Sequence, residues 1–153
     1  MRILTNMENK IQISKIPQSL LQFLKSKKLT TSKMCFNNCF LAVMNDLAAQ
    51  TYQIEYVLAW VIHPQDNIPT SHALLKSGNN YYDPTLEPQC LQDKCQYVLE
   101  KEFSREELAK LLNAKFGVAR IRRMIDGQEP WWPLCQTGEG KYEFIDAPLS
   151  TVH

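Results

Sequence analysis

Apolar positions along the chain keep a helical spacing at first and then change to runs of strand length. From Ile16 to Lys28, Leu20, Leu21, Phe23 and Leu24 form one side of a short amphipathic helix. Pro17 suits its first turn, and Lys25, Lys27 and Lys28 suit the negative end of its dipole. A second helix is predicted after Ser32, a favourable N-cap. Phe36, Cys39, Phe40, Val43, Met44 and Leu47 follow at helical spacing, so this helix is expected to be buried. Beyond Gln50 the run from Tyr56 to Ile62 reads as a buried strand, rich in aromatic and β-branched residues.

His63 to Pro69 then reads as a loop, Thr70 to Lys76 as a second strand and Ser77-Gly-Asn-Asn80 as a turn. Tyr81 to Asp83 begins a third strand that Pro84 checks. If Gly78 and Asn79 are the two central turn residues, Ser77 faces Asn80 and Leu74 faces Asp83. Asp83 then lies diagonal to His72 on the same side of the sheet, about 7–8 Å away at the backbone. A slip of one residue would put the two on opposite faces.

In the second half, Gln96 to Glu102 reads as a strand. Ser104-Arg-Glu-Glu107 reads as a capping box, with Phe103 and Leu108 as its hydrophobic staple. The helix it opens runs through Leu111 and Leu112 toward Phe116, and Gly117 is placed to end it. From Ile125 the chain carries Gly, Pro, Trp131 and Trp132 and is expected to be an irregular tail over 125–153, either a cover on the core or a contact surface.

The 153 residues suit one domain with one core, so 1–153 is expected to be a single unit. A net charge of +1 gives no drive toward nucleic acid or an anionic membrane, and neither is expected as a partner. Arg120, Arg122 and Arg123 read as a solvated basic patch. Met1 to Lys15 holds no apolar stretch of signal-peptide type, and no apolar run approaches the roughly 18 residues of a membrane span. A soluble, cytoplasmic protein is therefore expected.

Five cysteines, Cys35, Cys39, Cys90, Cys95 and Cys135, form an odd set that fits a reducing compartment. Their spacings, Cys35-x-x-x-Cys39 and Cys90-x-x-x-x-Cys95, are looser than zinc knuckles, so no metal or other cofactor is expected. Cys35, in the first turn of its helix, would lie beside unpaired amides and the positive dipole end, which favour a thiolate. His72 is the candidate base and Asp83 the residue that orients it. Asn37 and Asn38 are the side chains near Cys35 able to donate to an oxyanion. His63 precedes a proline in a loop, and His153 is the last residue.

Four blocks in order, Cys35-Phe-Asn-Asn38, Tyr56-Val-Leu-Ala-Trp60, His72-Ala-Leu-Leu75 and Tyr82-Asp-Pro-Thr85, resemble a bacterial and phage group of the papain-like/transglutaminase-like superfamily. The resemblance covers about Cys35 to Thr85, a third of the chain. It implies a papain-like α+β fold in which a buried N-terminal helix carrying the cysteine packs on an antiparallel sheet carrying the histidine and aspartate. By position it also implies a triad of Cys35, His72 and Asp83, with Asn38 as the recurrent asparagine. The implied activity is cysteine-dependent hydrolysis or acyl transfer on an amide, a peptide, an isopeptide or a Gln side chain, with a protein or peptide as substrate. The alternative is a catalytically inactive binding protein on the same fold, anchored to a host partner by Trp131 and Trp132.

Overall fold

The computed structural model describes residues 9–146. It is a mixed α+β structure with five α-helices among the described residues. Its sheet of five antiparallel strands runs β1 (Lys10–Ile11), β5 (Gln96–Phe103), β2 (Glu55–Ile62), β3 (Pro69–Ser77) and β4 (Asn80–Tyr82). Just after β1, a bridge between Ile13 and Tyr81 and a 2.8 Å bond from Ser14 N to Tyr81 O tie the chain to β4. The two edges of the sheet thus meet, and the sheet is nearly closed.

Alternation along the central strands sends side chains to two cores. Val57, Ala59, Val61, Leu74 and Tyr97 pack with Leu86 on one face. Tyr56, Leu58, Ala73, Leu75 and Phe103 pack on the other, under the helices. There α1 (Gln18–Ser26) contributes Leu20 and Leu24, and α2 (Cys35–Met44) contributes Phe36, Cys39, Phe40 and Val43. The predicted apolar stripes of both helices are therefore the buried ones as far as Met44.

Three boundaries differ from the sequence expectation. Pro17 is the N-cap of α1 rather than a residue of its first turn. Ser32 does not cap α2. Lys33 adopts a left-handed φ of 66°, which turns the chain between Ser32 and the helix, and Met34 becomes the N-cap. Cys35 is consequently the first helical residue, two positions nearer the end than predicted. The helix also stops before Leu47. Asn45 is extended (φ −76°, ψ 122°), and its side chain accepts a bond from Ala48 N at 3.1 Å, opening α3 (Asp46–Tyr52). The new axis leaves Leu47 62% exposed. A short polar side chain able to cap won here over apolar periodicity. Asn45→Ala is expected to lower stability by about 1 kcal/mol, read as a lower urea midpoint with unchanged slope.

The capping box at Ser104 forms as predicted and opens α4 (Arg105–Phe116), with Phe103 and Leu108 both buried. Gly117, at φ 82°, ends α4 and leads directly into α5 (Val118–Ile125), which local signals did not reveal. The tail is irregular from 126 to 133 and then forms strands. β6 (Leu134–Gly138) and β7 (Lys141–Phe144) pair as a hairpin, and Gly140 supplies the positive φ of its turn. Residues 147–153, the rest of the expected tail, lie outside the described residues. The hairpin is a cover on the core: Leu134, Cys135 and Gln136 are buried, and Tyr56 Oη donates to Leu134 O at 2.5 Å. Phe40 meets the rings of Tyr56, Trp131 and Phe144, joining α2, the sheet and the hairpin. Among the described residues no helix is long and apolar enough to cross a membrane.

Candidate active site

The β3–β4 hairpin has the register that a two-residue turn imposes. Ser77 pairs with Asn80, Lys76 with Tyr81 and Leu75 with Tyr82. Asp83 follows directly, one residue past the end of β4, where the same register carried one step further would set it opposite Leu74. His72 and Asp83 therefore share a face, and His72 Nε2 donates to Asp83 Oδ2 at 2.9 Å. Both are sealed from solvent: His72 is 1% exposed and Asp83 0%.

Asp83 is fixed from all sides. Its Oδ1 accepts from Thr85 N at 3.1 Å and Leu86 N at 2.9 Å, closing the turn that Pro84 begins. Its Oδ2 also accepts from Tyr97 Oη at 2.6 Å. Burial pushes the carboxyl up, but the charge of His72, its hydrogen bond, the Tyr97 hydroxyl and the Leu86 amide outweigh burial, and the net shift is downward. The carboxylate is thus ionised and acts as an acceptor.

Burial alone lowers His72. The charge of Asp83, then that of Cys35, and the hydrogen bond to Asp83 more than reverse this, and its pKa stands well above the ordinary 6.5. His72 Nδ1, the nitrogen not used by Asp83, is buried without a well-formed hydrogen bond. Cys35 is close enough for its charge to act on the ring, whose Nε2 is held by Asp83. Cys35 itself is 0% exposed and sits at the first position of α2, where the amides of the first turn have no intrahelical acceptor.

The structure brings Cys35, His72 and Asp83 together and gives Asn38 a different task. Asn38 Nδ2 donates to Thr31 O and to Thr85 Oγ1, each at 2.9 Å. With both amide protons engaged, Asn38 ties α2 to the loop before it and to the Asp83 turn, rather than offering a donor to a bound oxyanion. Asn37 Nδ2 makes only a 4.0 Å contact with Met34 Sδ. His63, 8% exposed, accepts from Gln65 N at 3.1 Å within its own loop.

Two participants were not legible from local sequence. Tyr97 reaches Asp83 only because β5 pairs with β2, and burial together with the Asp83 charge holds its hydroxyl protonated as a donor. Cys135 comes from the hairpin to lie near Cys35. Burial and the Cys35 charge push its thiol up to about 12. Cys39, one turn beyond Cys35, is raised strongly by burial and then by the charges of Cys35 and Asp83. Cys90 is exposed and Cys95 half-buried. Among the described residues, no three His, Cys, Asp or Glu side chains converge as a metal-binding group.

A cavity of about 350 Å³ borders the start of α2, lined in part by Thr31, Met34, Asn37, Asn38 and Trp131. Its walls include residues on both sides of Cys35 in sequence.

The His72–Asp83 pair makes stability depend on pH. His72 is raised above 6.5, so its contribution is complete below that pH and is lost as pH rises through the raised value. Asp83 is lowered below 3.8, so its contribution is complete above 3.8 and is lost as pH falls through the lowered value. The stability difference between wild type and His72→Gln is therefore expected to be largest between those two limits and smaller at about pH 9, as measured by urea unfolding.

Comparison with protein-family models, with curated proteins and with solved structures finds no match for this chain.

Proposed function

We propose that the chain is a papain-like cysteine hydrolase or acyltransferase acting on amides, with Cys35 as nucleophile, His72 as general base and Asp83 as the group that orients it. One observation carries this reading: a buried histidine has one ring nitrogen fixed by a carboxylate at 2.9 Å and the other free beside a cysteine at a helix N-terminus. In the proposed reaction the Cys35 proton passes to His72 Nδ1 before the attack, the raised pKa of the ring holds it there, and Sγ adds to the carbonyl carbon as the thiolate. The same proton passes to the leaving amine when the C–N bond breaks. Water or an amine then resolves the thioester. First-turn amides of α2 are the donors closest in kind to an oxyanion hole, and the cavity beside Met34 and Asn37 is the approach route for a peptide, an isopeptide or a Gln side chain.

A second reading keeps the same fold as a catalytically inactive binding protein. The observation in its favour is that all three triad side chains are closed off from solvent.

Alkylation separates the two. Cys39 and Cys135 are equally buried and their thiols are pushed up, so they serve as internal references. In a catalytic site, iodoacetamide modifies Cys35 ahead of both near pH 6, and His72→Ala slows this about 100-fold or more, followed by peptide mass spectrometry. If Cys35 lags with Cys39 and Cys135 whether or not His72 is present, the binding reading takes its place.

A further inference from the structure

Among the described residues nothing covers the apolar surface of α5. The helix carries three arginines and no acidic residue, and Met124 is its one fully buried side chain. Val118 and Ile125 are each 67% exposed. Val118, Ile121, Arg122 and Ile125 fall at i, i+3, i+4 and i+7, so they form one stripe along the helix. This stripe is one wall of an open groove of about 460 Å³, which also lies against Met44 and, on α4, Lys110 and Leu112. A soluble monomer gains nothing from a contiguous apolar groove of this kind in water.

The charges around the groove specify what fits it. Arg120 and Arg123 share one carboxylate, Glu129, and Arg105 pairs with Asp46, so all three are engaged in ion pairs within the chain. Arg122 has no ion pair among the described residues. It stands on the α5 wall while Lys110 stands on the α4 wall, with Asp126 the single acid of the lining. The stripe from Val118 to Ile125 is about 10 Å long at 1.5 Å per residue, or two helical turns. An apolar floor of that length between two cationic side chains matches the recognition of an amphipathic helix by a groove.

We propose that the α4–α5 groove docks a short amphipathic helical segment of a partner protein, one whose apolar stripe is flanked by Asp or Glu. The site is separate from the triad. Met44 closes α2 at the end opposite Cys35, about 14 Å away along the helix axis. A docked segment would therefore lie at the far end of α2 from Cys35, and Cys35→Ala would not alter docking. The proposal stands whether or not Cys35 is catalytic.

The test uses the whole chain, labelled with ¹⁵N, and two blocked peptides of about 15 residues with the same leucine stripe, one flanked by Glu and its twin by Lys. The expected result is amide shifts confined to α4, α5 and the Met44 end of α2. Affinity for the Glu peptide should be about tenfold or more above that for the Lys twin, and Arg122→Glu should reverse the preference. The double variant Val118→Asp with Ile125→Asp changes exposed positions only, so it should keep the circular dichroism of wild type and lose the shifts. Several outcomes overturn the proposal: no shifts at millimolar peptide, shifts centred elsewhere, or equal affinity for the two peptides. So would sedimentation showing that Val118 and Ile125 are covered by a second copy of the chain. Binding of α5 to phosphatidylserine vesicles with neither peptide bound would assign the face to a membrane surface instead.

Discussion

Replacing Asp83 by alanine is expected to lower the free energy of unfolding by about 3–5 kcal/mol, the range for removing one member of a buried charged pair. Four donors lose their acceptor together: His72 Nε2, Tyr97 Oη and the amides of Thr85 and Leu86. None can turn to solvent, because Thr85, Leu86 and His72 are buried and Tyr97 is 2% exposed. Asp83→Asn keeps one oxygen for the two amides and presents an NH₂ to the histidine, so its loss is expected to be smaller. Both variants should also change His72. Without the carboxylate, burial dominates and the imidazole pKa falls from its raised position. A ¹⁵N titration of the ring reads this directly. A loss of stability with no change in the His72 titration would mean that Asp83 only closes the turn at Pro84 and does not govern the imidazole.

Phe40→Ala is the second large effect, about 3–5 kcal/mol for truncating a fully buried aromatic ring. Phe40 is 0% exposed and touches Tyr56, Trp131 and Phe144. The cavity left behind would loosen the β6–β7 hairpin from α2 and the sheet. Because Cys135 of that hairpin lies near Cys35, loosening it should also uncover Cys35. The expected result is a lower urea midpoint together with faster iodoacetamide labelling of Cys35 at denaturant concentrations where the chain is still folded. Labelling that rises only with global unfolding would show that the hairpin does not gate access to Cys35.

The sequence by itself determined those parts of the protein that rest on neighbouring residues. A side-chain period of two and a two-residue Gly78-Asn79 turn leave one register, and that register puts His72 and Asp83 on one face. The capping box at Ser104 and the buried stripe of α2 were legible for the same reason: both depend on contacts within a few residues. The start of α2 was also local, yet Ser32 lost the cap because Lys33 takes a left-handed turn that nothing in the residue type announces. Only the tertiary structure decided the rest. Tyr97 reaches Asp83 through strand pairing across the sheet, and Asn38 reaches Thr85 across 47 residues, each joining segments that carry no mark of one another. The hairpin of 134–144 has weak strand signals and is held by Tyr56, Phe40 and Phe103, which supply the apolar surface that it covers. Burial of the triad follows from that packing. Burial sets the strength of every charge around His72 and Asp83, and no local pattern of residues announces it.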